Sequence, residues 1–272
     1  AEVGRRFCMC RGTCGRCGLR ATPAQLPPPK GDRVAVHESL AYRFIKVVAR
    51  PIMMAVTKRD WRGMEHIPAE GGVVLAANHT SYFDPLAVAH YIVDAGRAPR
   101  FLGKAEIVSM PVLGKLFQAA GQIPVYRGTA SAANAYKDAI TALERGESVA
   151  LYPEGTTTRD PDLWPMMGKT GAARMALTTG APVIPIAQWG PHEVIPDKSK
   201  FSIHLFPRKT MHVHAGQAVN LDDLRGRELT GEVLDEATER IMLAITLLLA
   251  EIRGELPPAE RYNPRKRRGE SQ

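Results

Sequence analysis

The stretch NHTSYFDP sets a histidine and an aspartate five positions apart, His79 and Asp84, directly behind the apolar run GVVLAA. In open α/β sheets, ligands gather in the loops after the carboxyl ends of the strands. A neutral imidazole in such a loop takes a proton from a hydroxyl, and a carboxylate on its other ring nitrogen fixes the tautomer and offsets the charge that forms. On a regular helix side chains five residues apart diverge, so the pairing requires a turn, or a loose first helical turn, between them. The same dipeptide, Asp84-Pro85, also suits a helix start with Asp84 as N-cap and Pro85 at N1. On that alternative Asp84 only caps the helix that follows.

A second stretch, YPEGTTTR at 152–159, again follows an apolar run. Gly155 lets backbone approach a ligand closely, Thr156 and its neighbours offer hydroxyls, and Arg159 offers a forked cation. Together these suit a phosphate, although turns rich in Gly and Thr are common as plain loops. Arg127 in GQIPVYRG and Lys104 in FLGKAEI add two further cations just past apolar runs. Singly each reads as a solvated surface charge. Their interest lies in convergence on one sheet edge.

Other patterns fail on inspection. MMGKTG lacks the upstream glycine of a P-loop, HESLA has Ala41 where a zinc-protease helix needs its second histidine, and there is no G-x-S-x-G elbow. His212 and His214 share one face of an alternating stretch, but no third ligand is indicated, so surface histidines and no metal are expected there. All four cysteines, Cys8, Cys10, Cys14 and Cys17, fall near the start of the chain, which rules out a cysteine nucleophile in the body. Four thiolates this close together either ligate zinc or belong to an unstructured leader.

The elements that position these residues follow from periodicity. Residues 1–33, rich in Cys, Pro, Gly and Arg, form a disordered leader. Over 34–60 Leu40, Phe44, Val47, Val48, Ile52 and Val56 recur at helical spacing among Arg and Lys, which predicts an amphipathic, membrane-associating helical segment kinked or split at Pro51; the same pattern also suits a helix packed on the core. From 61 to 256 short apolar runs (73–77, 123–126, 148–153, 183–188) alternate with helical stretches, and Gly146 and Gly180 stand where helix C-caps belong. KTMHVHAGQAV alternates like an edge or half-exposed strand, and a long helix near 231–253 closes the domain. The expected fold class is α/β: a single layered domain with a mostly parallel central sheet flanked by helices. Residues 257–272 form a basic, disordered tail.

Composition narrows the partners. Lys and Arg number 36 against 28 acidic residues, a net charge of +8 that favours an anionic partner. Aromatic residues make up 6% and are not interleaved with basic clusters, which argues against nucleic acid. No apolar stretch reaches the roughly 18–20 residues of a spanning helix, and the N-terminus lacks a long secretory apolar core. A peripheral location on the cytoplasmic face of the cell membrane is expected.

Taken in order, NHTSYFD, GQIPVYR, YPEGTTT and VIPI resemble the four successive motifs of the 1-acylglycerol-3-phosphate (lysophosphatidic acid) acyltransferase family, over roughly Trp61 to Gly216. KTGAA at 169–173 is similar to a segment that family carries after its third motif. The resemblance implies acyl transfer from acyl-CoA or acyl carrier protein, as co-substrate and without a cofactor, to the sn-2 hydroxyl of a lysophospholipid, giving phosphatidic acid. It implies His79 as general base and Asp84 as its orienting carboxylate. Arg127 and the Glu154-Gly155-Thr156 loop would hold the glycerol phosphate with Lys104 nearby, and Val183, Ile184 and Pro185 would line the acyl or acceptor channel. One departure stands out: Thr157 follows E-G-T where family members commonly carry arginine. Arg159 substitutes if the loop bends suitably; otherwise the acceptor is another lysophospholipid or a glycolipid. A non-catalytic lipid- or nucleic-acid-binding protein is the alternative of a different class.

Overall fold

The run VVLAA is buried along its whole length, as expected of a central parallel strand covered on both faces. The computed structural model describes residues 40–104, 121–125, 131–196 and 202–264, all within one compact unit, Val36–Gln272. The four cysteines, Arg127 and the RKRR tail lie outside the described residues.

In chain order the elements are α1 (Leu40–Val56), β1 (Thr57–Arg62), β2 (Val73–Ala77), α2 (Asp84–Asp94), β3 (Pro99–Lys104), β4 (Ile123–Val125), α3 (Ser131–Glu144), β5 (Ser148–Leu151), α4 (Gly171–Thr179), β6 (Val183–Trp189), a one-turn α5 (Pro191–Val194), β7 (Lys209–Ala215) and α6 (Gly231–Arg253). Seven strands form one sheet in the order β1-β7-β6-β2-β5-β3-β4. All neighbours are parallel except β6 and β7, so β1 and β7 run against the other five.

Alternate side chains of β2 feed two cores. Val73, Leu75 and Ala77 join Ala87, Tyr91 and Ile92 of α2, whereas Val74 and Ala76 join Ala139 of α3, Ala173 of α4 and Ile241 of α6. The result is a three-layer α/β/α fold. Gly180 caps α4 at φ 74° and Gly146 follows α3 at φ 79°, a left-handed conformation that glycine adopts without steric cost. Thr230 caps α6, its side chain accepting a hydrogen bond from the Val233 backbone N–H.

Two expectations need correction. Residues 57–60, expected within the helical segment, open the edge strand β1, which pairs residue by residue with β7. TKRDWR shows little apolar alternation because most of its length faces solvent, and its partner lies 152 positions downstream, beyond the reach of local patterning. For the same reason β7 is interior rather than an edge, and of the two readings it is the half-exposed strand, its burial alternating over the first half. Among the described residues no helix is long and apolar enough to cross a membrane.

Asp94, at the end of α2, ties α1 and β1 to the domain. Its carboxylate accepts hydrogen bonds from Arg50 Nε of α1 at 2.8 Å, and from Arg59 Nη1 and Trp61 Nε1 of β1 at 3.1 and 3.0 Å. Burial pushes this carboxyl up, but the Trp61 and Arg50 hydrogen bonds outweigh it and hold the group below the ordinary carboxylate range. A depressed folded-state value stabilises the fold above the unfolded value of about 3.9 and stops doing so as pH falls through the folded one. Asp94→Asn is therefore expected to cost about 1–3 kcal/mol at neutral pH in urea unfolding. The gap to the wild type should narrow as pH is lowered through the carboxylate range.

Candidate active site

Beyond the last residue of β2, side chains take over the ladder. Asn78, 1% exposed, donates from Nδ2 to the Gln188 carbonyl (3.1 Å) and accepts from Gln188 N at Oδ1 (2.8 Å), while Gln188 Nε2 donates to the Asn78 carbonyl (2.8 Å). This zipper joins the carboxyl ends of β2 and β6 and delivers His79 to the sheet edge.

The turn that follows is wound around one carboxylate. Asp84 has no exposed surface; its Oδ2 accepts from Thr80 N (2.5 Å), Ser81 N (2.9 Å) and His79 Nδ1 (2.8 Å), and its Oδ1 from Thr80 Oγ1 (3.2 Å). The carboxylate thus reaches backward into the turn. It does not cap α2, whose N-cap is Phe83, so the capping alternative fails. Because a carboxylate only accepts, Nδ1 carries the proton and Nε2 is left as the accepting nitrogen. The imidazole retains 13% side-chain exposure.

The YPEGTTT loop grips the backbone of the same histidine. Glu154, 3% exposed, accepts from His79 N through Oε1 (2.9 Å) and from Met166 N through Oε2 (3.0 Å). Thr158 N donates to the His79 carbonyl at 2.6 Å. Tyr152 stacks on the imidazole, ring centroids 4.1 Å apart at 18°, and Phe101 continues the stack at 6.3 Å. Burial first, and the charge of Asp84 second, raise the Tyr152 phenol well above its usual range, so that it stays neutral.

Of the residues singled out for the phosphate, Glu154 is reassigned. Its oxygens serve backbone N–H groups, and a carboxylate repels a phosphate of the same charge. Gly155, at φ 71°, passes so close to Lys169 that an added β-carbon would lie 2.9 Å from Nζ. Thr156 is half-buried, Thr157 is 4% exposed, and Arg159 is exposed at the end of the loop. Lys104 ends β3 at the same sheet edge as His79; its side chain, like the whole of Arg127, lies outside the described residues. Val183, Ile184 and Pro185 do not form one channel wall. Val183 and Ile184 are buried in opposite cores, and Val183 lies five residues back along β6 from Gln188, about 16 Å at ~3.3 Å per residue.

Sequence reasoning missed the Asn78–Gln188 zipper, the stacking Tyr152 and Lys169. Only Lys169 left a signal, in KTGAA. It also missed Asp60, which the β1–β7 register sets opposite His212 and beside His214.

The fold and site define an α/β protein that presents a carboxylate-oriented imidazole at the carboxyl edge of its sheet. The Acyltransferase family model matches residues 58–189, just under half of the chain, and through that stretch the chain is similar to that family. It is 31% identical over 145 residues to the 1-acyl-sn-glycerol-3-phosphate acyltransferase BAT2 of Brassica napus, a match that covers 53% of this chain and 40% of that one. It is 27% identical over 181 residues to the 1-acyl-sn-glycerol-3-phosphate acyltransferase of Borreliella burgdorferi, covering 66% and 70%. The crystal structure of the 1-acyl-sn-glycerophosphate acyltransferase PlsC from Thermotoga maritima shares the fold at TM-score 0.61 and 19% identity, over 79% of this chain and 81% of that one.

Proposed function

We propose that the chain moves a fatty acyl group from a thioester, acyl-CoA or acyl carrier protein, to the sn-2 hydroxyl of 1-acylglycerol-3-phosphate, forming phosphatidic acid. The observation that carries this is the His79 Nδ1–Asp84 Oδ2 hydrogen bond at 2.8 Å, around a carboxylate with no exposed surface. His79 Nε2 takes the proton of the acceptor hydroxyl as its oxygen attacks the thioester carbonyl. Asp84 offsets the charge the ring gains, and the proton then passes to the departing thiolate. The hydroxyl attacks directly, so no acyl-enzyme is required. Gly155, Thr156 and Arg159, with Lys104 and Arg127, are the proposed phosphate-binding group, and fixing the phosphate orients the hydroxyl for attack.

Peripheral attachment to a membrane fits α1. Val47 (71% exposed), Ile52 (55%) and Met54 (39%) lie beside the exposed cations Arg50, Lys58 and Arg59, a combination that suits anionic lipid at a bilayer surface.

A second reading, transfer to a different lysophospholipid or to a glycolipid, is favoured by Thr157. Buried and neutral, it supplies no charge where the family resemblance leads one to expect arginine. Both readings are tested by crossing acyl-CoA and acyl carrier protein donors with a panel of lyso-acceptors. Lysophosphatidic acid is expected to give the highest kcat/KM; preference for another acceptor selects the second reading, and no thioester consumption with any of them refutes both.

A further inference from the structure

On the far side of β6 from His79, β1 and β7 bring three ligand-type side chains together. Asp60 pairs with His212 across the parallel β1–β7 ladder, and His214 follows two residues on, on the same face. The intervening Met211, Val213 and Ala215 face the α2 core. His212 Nδ1 lies 2.7 Å and His214 Nε2 3.5 Å from Asp60 Oδ2, and one ligand atom from each residue falls within 4.8 Å of the other two. His214 Nε2 is buried and faces Asp60 Oδ2 at 3.5 Å, at the outer limit of hydrogen bonding, so the pair is only weakly satisfied. Arg62 Nε holds the other carboxylate oxygen, Oδ1, at 3.2 Å and fixes the carboxylate plane; its side chain is 70% exposed, so solvent screens its charge.

We propose that Asp60, His212 and His214 bind a divalent transition-metal ion of the zinc class. Two imidazoles and one carboxylate are a donor set that such ions favour. Ligand atoms about 2.1 Å from a tetrahedral ion lie about 3.4 Å apart, close to the His214–Asp60 separation, so His212 must withdraw from Asp60 by about 0.7 Å, within reach of a side-chain rotation. Binding at His212 Nδ1 leaves the ring proton on Nε2, the other tautomer of the neutral imidazole, so no net proton is released. Asp60 and His212 keep 28% and 34% side-chain exposure, which leaves room for water as the fourth ligand. The ion would staple the edge strand β1 to β7, independently of the acyl-transfer chemistry.

The test uses the full chain, stripped of metal and titrated with Co²⁺ by visible absorption and with Zn²⁺ by calorimetry. One ion per chain is expected at a nitrogen- and oxygen-ligated site. Any ion taken by Cys8, Cys10, Cys14 and Cys17 is distinguished by its sulfur-to-cobalt charge-transfer band. His214→Ala and Asp60→Asn should weaken the site by more than the ~10–100-fold typical of losing an outer-shell partner. Zn²⁺ should raise the Tm of the wild type and not of the variants. His212→Ala, at the most exposed of the three positions, decides the matter if His214→Ala fails to fold. The proposal is overturned if the wild type shows no nitrogen- and oxygen-ligated Co²⁺, or if His212→Ala binds as tightly as the wild type.

Discussion

His79→Ala is expected to lower kcat for acyl transfer by about 10²–10⁴-fold, the usual contribution of a positioned general base, with the fold left in place. The reason for retained folding is specific. The hydrogen bonds that fix residue 79 run through its backbone, N–H to Glu154 and C=O from Thr158 N, and alanine keeps both. Asp84 loses the imidazole but still accepts from Thr80 N, Ser81 N and Thr80 Oγ1, so its buried charge stays solvated by the turn. The structural loss is the stack on Tyr152, on the order of 0.5–1.5 kcal/mol. Single-turnover rates with acyl-CoA and lysophosphatidic acid, set beside thermal unfolding, check the claim. A folded variant that keeps most of its turnover removes His79 as the base.

Glu154→Gln should impair both stability and turnover. The glutamate's two oxygens serve the N–H groups of His79 and Met166, so an amide in its place must turn its NH₂ toward one of them and leave that buried donor unpaired. The expected cost is about 1–3 kcal/mol. The same change loosens the residue that holds the base, and a displacement of about 1 Å there costs on the order of 10²-fold in rate. The loss should therefore fall on kcat. A variant of unchanged stability whose KM alone rises would return Glu154 to the role of a direct substrate contact.

How much of this was legible in the sequence depends on distance along the chain. The His79–Asp84 pair was visible because both residues belong to one turn, and the α/β class because apolar runs and helical stretches alternate locally. Gly146 and Gly180 were legible as helix ends because left-handed backbone is a local demand. The Asn78–Gln188 zipper joins residues 110 positions apart, and Asn and Gln in a loop and a strand carry no periodic signal. Glu154 was expected at the phosphate on the family resemblance alone, since a carboxylate adds nothing to the loop's phosphate chemistry; only the approach of two strand ends turns it toward His79. Asp60 stayed hidden for a related reason: β1 is a charged edge strand whose partner is set by topology.

The gripping of residue 79 through its main chain has a thermodynamic meaning of its own. A base carried on a mobile loop would have to be frozen by each arriving substrate, and part of every binding event would go into restricting rotation. Here the Glu154 carboxylate and the Thr158 amide impose that restriction when the chain folds, so the conformational entropy is lost once and not again at each catalytic cycle.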